Sequence, residues 1–224
     1  TTIKLLNHYN IKNKLMSYHE HSDVKTRKFI IDEIENGKNI SLVSDAGTPL
    51  ISDPGYKLVK ELKKRNLRVT SCPGPSSPIV AITLSGLPSD KFFFSGFLPV
   101  KVKAKKDYLE ELKNIKSTLI FFESSNRIIK TLGTILEIFG NRKISICREL
   151  TKKFEEIITS KITEVIKELS LRENIKGEII IIVEGNINSD KPQNLEVILE
   201  DTLKSMSLSD AAKEISKYTN FSRK

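Results

Sequence analysis

Apolar positions along the chain follow two rhythms: short runs of strand length and longer stretches at helical spacing. The two kinds alternate, which predicts an α/β architecture. Thr1 to Tyr9 reads as a helix and Leu15 to His19 as a short strand. Ser22 and Asp23 suit the start of a helix running to Asn36-Gly37, where glycine can end it. Ile40 to Ser44 reads as a buried strand, Tyr56 to Arg65 as a helix with a lysine-rich face, and Leu67 to Cys72 as the next strand. A turn at Pro73-Gly74-Pro75 leads into a small-residue helix, Ser76 to Leu84.

From Phe92 a second series begins. Strand Phe92-Phe93-Phe94 precedes a basic helix, Lys101 to Lys116, then strand Thr118 to Phe122 and helix Ser125 to Phe139. Strands Ile144 to Glu149 and Phe154 to Ser160 follow, then helix Ile162 to Leu169 and strand Gly177 to Glu184. Boundaries fall near Ser89 to Lys91 and in the polar linker Asn186 to Pro192. They predict an α/β domain over 1–90, a second over 91–186, and a tail over 187–224 with short helices at Leu195 to Lys204 and Ser209 to Tyr218.

Composition narrows the class. Lysine and arginine number 37 against 28 acids, for a net charge of +9 and a pI near 9.4. A field of that sign favours polyanions, although a chain rich in Lys, Ile and Asn also arises from an AT-rich genome. No apolar run reaches membrane-spanning length, the longest being Ile179 to Val183. Cys72 and Cys147 lie 75 positions apart in strand-like segments, and both read as buried reduced thiols, which fits the cytoplasm. His19-Glu20-His21 lacks a further ligand at metal spacing, so no metal site is expected. The chain opens without methionine in a helical pattern and stops at Arg223-Lys224 inside a motif, so a fragment of a longer protein is expected.

The segment Leu42-Val43-Ser44-Asp45-Ala46-Gly47-Thr48-Pro49-Leu50-Ile51-Ser52-Asp53-Pro54-Gly55 sits at the carboxyl end of an expected strand, where open α/β sheets bind ligands. Gly47 permits close backbone approach, and Pro49 and Pro54 stiffen the turn. Its hydroxyls and amides suit a carboxylate, a ribose or an amine. Asp53 reads as N-cap of the next helix, with Pro54 at its first position. Pro73-Gly74-Pro75-Ser76-Ser77 repeats the design, and parallel neighbouring strands would bring both loops to one pocket. Neither the dinucleotide fingerprint nor a P-loop is present.

These two loops resemble those of the ribosomal RNA small subunit methyltransferase I family, within the tetrapyrrole methylase superfamily. The resemblance continues in order through Ser85-Gly-Leu-Pro88, Phe94-Ser-Gly-Phe-Leu-Pro99, Leu119-Ile-Phe-Phe-Glu-Ser124 with Arg127, Arg148-Glu-Leu-Thr-Lys152 with Glu155-Glu156, and Lys176-Gly-Glu178. Ser125 and Asn126 depart from the family's usual Pro-His, and Ser77 from its usual alanine. The family's opening strand, with a loop of its own, would precede Thr1.

The resemblance implies two α/β domains with S-adenosyl-L-methionine in the cleft between them, usually in a homodimer. It implies cofactor contacts from Ser44, Asp45, Ala46, Gly47, Thr48, Pro49, Ile51, Pro73, Gly74, Ser76, Ser77, Phe122, Glu123, Gly177 and Glu178. It also implies a substrate: the ribose 2′-hydroxyl of a decoding-centre cytidine in 16S ribosomal RNA, either free or within the 30S subunit. Ser207 to Lys224 resembles the family's helix-turn-helix-like tail.

The basic residues themselves suit either RNA phosphates or, for the lysine cluster, a solvated helix start, and opposition to the helix dipole favours RNA. Lys101, Lys103, Lys105 and Lys106 crowd six positions, and helical spacing would place Lys101 with Lys105 and Lys103 with Lys106. Arg127 can clamp a phosphate or pair with Glu123, and Arg148 and Lys152 can contact RNA or pair around Glu149. Asp45 and Glu123 stand at strand ends as candidate bases for the hydroxyl. Two other readings stay open. The lysine cluster, high pI and helical tail oppose a tetrapyrrole methylase, and the intact cofactor loops oppose a non-catalytic ribosome-binding protein.

Overall fold

The structure, a computed structural model, describes residues 2–19 and 24–187, with 202–204, 206–207 and 210–211. The expected tail helices and the Glu20-His21 pair therefore lie largely or wholly outside the described residues. Among the described residues the first part of the chain carries four helices: α1 (Thr2–His8), α2 (Val24–Glu35), α3 (Tyr56–Lys64) and α4 (Ser77–Ser85). The remainder alternates β1 (Phe92–Phe97), α5 (Val102–Leu112), β2 (Thr118–Ser124), α6 (Ile128–Phe139), β3 (Lys143–Arg148), β4 (Glu156–Lys161), α7 (Ile162–Ser170) and β5 (Glu178–Val183).

The five strands form one sheet in the order β1-β2-β5-β3-β4. β1 runs parallel to β2, whereas β5 inserts antiparallel between β2 and β3, and β4 pairs antiparallel with β3. Side-chain alternation along the central strands divides the core into two faces. Leu119, Phe121, Ile144, Ile146, Ile179, Ile181 and Val183 meet the apolar stripes of α5, α6 and α7. On the opposite face, Ile120, Cys147, Ile180 and Ile182 pack against Ala81, Ile82 and Leu87 from α4 and its end. Both faces are covered, so β2 and β5 read as nearly continuous apolar runs.

Helix α4 thus fastens the first part of the chain to the sheet. Its small residues allow close approach, and two hydrogen bonds reinforce the contact. Thr159 Oγ1 donates to the Ser85 carbonyl at 3.0 Å, and Cys147 Sγ to the Ala81 carbonyl at 3.8 Å.

Three expected strands do not form. Residues 15–19, 40–44 and 67–72 make no ladder with any neighbour among the described residues. Tyr18, Leu67 and Val69 instead pack beside a small core of Ile30, Ile31, Leu58 and Leu62 between α2 and α3, while Ile40 and Val43 are exposed. An apolar pattern signals a demand for burial, but a strand also needs a partner for its backbone groups. The cap of α3 differs too: Gly55, at φ 137°, takes the N-cap position expected of Asp53.

Candidate functional site

A cavity of about 630 Å³ opens at the sheet edge where β2 and β3 end and β5 begins. One wall is the loop carrying Ala46, Gly47, Thr48, Ile51, Ser52 and Asp53, and below it lie Pro75 to Pro78 and Val80. Opposite stand Phe97, Phe122 to Ser125, Cys147, Leu150 to Lys152 and Gly177 to Ile180.

The two expected cofactor loops do meet here, by direct contact rather than through paired strands. Thr48 Oγ1 donates to the Pro75 carbonyl at 2.9 Å. Ser44 Oγ folds back toward the Ala46 and Gly47 carbonyls, each at 3.1 Å, and shapes the turn from behind. Phe122 is held edge-on by Phe94 and Phe97, with ring centroids 5.0 and 5.3 Å away.

Backbone strain concentrates around this cavity. Of the six described non-glycine residues at positive φ, Leu50, Ser52, Glu149 and Thr151 belong to its loops. Each such conformation costs roughly 1–3 kcal/mol and persists where the surroundings hold it, a pattern typical of ligand sites.

Two charged clusters border the space. On the β3–β5 side, Glu149 Oε1 accepts the Glu178 backbone N–H at 2.8 Å and the Lys152 ammonium at 3.0 Å. Lys152 also reaches Glu178 Oε2 at 2.9 Å. The Glu178 N–H and then Lys152 lower the pKa of Glu149. Glu178 and then Glu149 raise that of Lys152, so its ammonium stays charged at neutral pH. Gly177, at φ 102°, makes this fold possible, because an added Cβ would lie 2.5 Å from Glu149 Cγ.

The second cluster surrounds Glu123, whose side chain is fully buried. Its Oε1 accepts the Ser124 N–H at 2.7 Å and pairs with Arg127 Nη2 at 2.6 Å. Its Oε2 accepts the Thr131 hydroxyl at 2.6 Å and lies 3.8 Å from the Lys105 ammonium. Lys105, itself buried, donates to Thr131 Oγ1 at 2.6 Å. Desolvation lowers its pKa against the opposing pull of Glu123, and Arg127 lowers it further.

With that geometry in view, comparison with known proteins decides the family. Residues 5–166 match the family model of Tetrapyrrole (Corrin/Porphyrin) Methylases. A Ribosomal RNA small subunit methyltransferase I from Rickettsia prowazekii (strain Madrid E) is 50% identical over 198 residues, covering 88% of this chain and 70% of the relative. One from Mesorhizobium japonicum is 43% identical, covering 96% of this chain and 74% of the relative. The chain belongs to the ribosomal RNA small subunit methyltransferase I family.

Among solved structures, the methyltransferase CobJ shares the fold at TM-score 0.57 and 14% identity, covering 80% of this chain and 79% of that one. Diphthine synthase does so at TM-score 0.55 and 11% identity, covering 82% and 74%.

Ten of the cofactor residues expected for this family line the cavity: Ala46, Gly47, Thr48, Ile51, Ser76, Ser77, Phe122, Glu123, Gly177 and Glu178. Ser44, Asp45, Pro49, Pro73 and Gly74 flank it without lining it. Of the cations expected at RNA, Lys152 lines the cavity, and Lys101 and Lys103 are exposed at the start of α5.

Other cations are engaged within the protein. Lys105 is buried against Glu123, Lys106 pairs with Glu137 at 2.5 Å, and Arg148 pairs with Glu156 at 2.9 Å. Lys105 is therefore no part of a surface cluster. Cys147 is buried, its thiol pushed up to about 11 by desolvation, but Cys72 is exposed, against expectation.

Ser52, Asp53, Phe97, Leu150 and Thr151 line the cavity without having been expected as cofactor contacts, Asp53 having been read as a helix cap. Phe97 had a signal in the Gly96 of its motif, where the β1 register shifts. Among the described residues no cluster of three metal-ligating side chains occurs, and no helix is long and apolar enough to cross a membrane.

Proposed function

We propose that this chain transfers a methyl group from S-adenosyl-L-methionine to the 2′-hydroxyl of a cytidine ribose in 16S ribosomal RNA. The observation that carries this reading is 50% identity to a Ribosomal RNA small subunit methyltransferase I along 88% of the chain. The cavity fits the cofactor chemically. Strained loops present backbone groups of Ala46 to Thr48, Ser76 and Ser77 offer hydroxyls, and the Phe97 and Phe122 rings supply an apolar wall. These residues would hold the cofactor. When bound, it supplies a methyl group activated by an adjacent sulfonium.

The protein's own part is to position the acceptor and to manage its proton and charge. Three lining residues are carboxylates: Asp53, Glu123 and Glu178. Glu123 is a counter-ion here rather than a base, because buried donors already occupy both its oxygens. Asp45 does not line the cavity. Asp53 and Glu178 are left as acceptors for the hydroxyl proton, and the Lys152 ammonium stabilises negative charge developing on the ribose oxygen. Lys101, Lys103 and Arg127 take RNA phosphates in this reading, and Lys152 faces the ribose oxygen instead.

The enzyme acts in the cytoplasm and as a homodimer, and sedimentation at two concentrations checks the assembly. Function itself is tested by offering tritiated cofactor with unmodified 30S particles, naked 16S RNA or a precorrin. Label at a ribose 2′-oxygen of the RNA is the expected result; label on the precorrin alone overturns it.

A further inference from the structure

The Glu123 cluster raises a question that the methyl-transfer reading leaves open. A lysine with 6% of its side chain exposed and a carboxylate with none stand side by side at the end of β2. Burying two such charges is costly, and an apolar pair of similar volume often serves stability as well or better. Their arrangement says what else they do. Lys105 reaches in from α5, Glu123 is the penultimate residue of β2 and Thr131 lies in α6, so three elements meet at one carboxylate. The Thr131 hydroxyl accepts from Lys105 and donates to Glu123, both at 2.6 Å, which fixes the direction of the relay.

The relay ends on Arg127. Glu123 Oε1 holds its Nη2 at 2.6 Å, and Ser124 Oγ, on a residue that lines the cavity, accepts its Nε at 2.9 Å. Two contacts on one side of a planar guanidinium leave it no freedom to turn. Nη1 makes no hydrogen bond among the described residues, and the side chain is 26% exposed. The free edge therefore belongs to a rigid cation beside the cavity. With Lys105 also present, two positive groups share one carboxylate, and the cluster keeps a net charge of about +1. β1 and β2 are parallel, so the starts of α5 and α6 lie at the same sheet edge, which puts exposed Lys101 and Lys103 on the side of Arg127.

We propose that Lys105, Thr131 and Glu123 are positioning residues that hold Arg127 beside the cavity to bind a phosphodiester of the RNA substrate. This inference rests on the RNA methyltransferase reading. Lys105 cancels the charge that Glu123 would otherwise take from Arg127, and Thr131 keeps the carboxylate turned toward both cations.

The test uses the intact protein, unmodified 30S particles and tritiated cofactor, with cofactor affinity measured separately by calorimetry. Arg127→Gln is expected to raise the KM for 30S particles about tenfold, with cofactor Kd within about twofold of wild type and a salt slope shallower by about one. Lys105→Met should reproduce that KM, Lys105→Arg should restore it, and adding Lys105→Met to Arg127→Gln should cost nothing more.

A wild-type KM for Arg127→Gln overturns the proposal, and so does a cofactor affinity that falls in step with RNA affinity. Independent, multiplying effects of the two substitutions overturn the positioning role. Should Lys105→Met not fold, Thr131→Val, which removes the hydroxyl of the relay, alone and combined with Arg127→Gln decides the matter by the same readouts. Failure of the wild-type protein to label RNA refutes the underlying function; labelling with unaffected variants refutes only the subsite.

Discussion

Glu123 shows how one side chain can look like a base in sequence and act as a counter-ion in structure. It sits where catalytic carboxylates often sit, at a strand end beside a cavity, yet donors surround both its oxygens. Breaking such a buried pair leaves an uncompensated charge, which costs about 3–5 kcal/mol. Glu123→Ala is accordingly expected to lower unfolding free energy by that order in urea titration, and a loss below about 1 kcal/mol would contradict the buried pairing. Gly47 carries a different load. It lines the cavity at φ 71°, and an added Cβ would meet no protein atom within 4 Å. Gly47→Val therefore pays mainly in backbone conformation, about 1–2 kcal/mol, and leaves the protein folded. The new side chain would occupy ligand space, so S-adenosyl-L-methionine affinity should drop at least about tenfold, a change of 1.4 kcal/mol. Wild-type affinity in a folded Gly47→Val protein, read by calorimetry, would remove this loop from the cofactor site.

Between elements, Glu156 on β4 is the principal electrostatic joint. It pairs with Arg172 beyond α7 at 2.7 Å and with Arg148 on β3 at 2.9 Å, and Arg172 first, then Arg148, hold its pKa down to about 2. A depressed carboxylate contributes stability that is present above its unfolded pKa, near 4.5, and is lost as pH falls toward 2. Glu156→Gln should thus be less stable than wild type by roughly 1–3 kcal/mol at pH 7, after allowance for solvent screening. The gap should close as pH drops from about 5 to 2, and a pH-independent gap would rule out this origin. The elements of the second series, Phe92 onward, were legible because apolar runs and helical stripes there meet partners within the same stretch of chain. Ile40 to Ser44 and Leu67 to Cys72 have comparable runs but no ladder neighbour among the described residues, and pattern alone cannot supply one. Lys105 misled for a geometric reason. Lys101 is the N-cap of α5, at φ −69° and ψ 129°, so the expected i, i+4 face did not include it, and the distant Glu123 drew Lys105 inward. The cavity loops were readable from their glycine, proline and hydroxyl spacing. Thr151 and Leu150 were not, since the turn that presents them depends on the packing of Glu149 beneath Gly177.

For the molecule as a whole, the net charge of +9 matters through its distribution. Many of its cations are spent internally, as the pairing of Lys106 with Glu137 and of Arg148 and Arg172 with Glu156 shows. Lys101 and Lys103 differ: both are exposed at the start of α5, where positive charge opposes the helix dipole and so is not there to stabilise the helix. A phosphate backbone passing this edge toward the cavity would give them a purpose. Each phosphate neutralised releases counterions and adds about 0.9 to the slope of log affinity against log salt for duplex nucleic acid, or about 0.7 for a single strand. Reversing both residues, Lys101→Glu with Lys103→Glu, should therefore weaken binding of 30S particles and make the salt slope shallower by between about one and two. Cofactor affinity should hold within about twofold, since neither residue lines the cavity. Lys106→Glu supplies the contrast, because the wild-type ammonium already faces Glu137 at 2.5 Å and its reversal should change the slope by less than half the effect of the double reversal. Filter binding from low to physiological salt separates the cases. A slope unchanged by reversing Lys101 and Lys103 would assign the two lysines to a solvated surface and move the RNA path to another edge of the sheet.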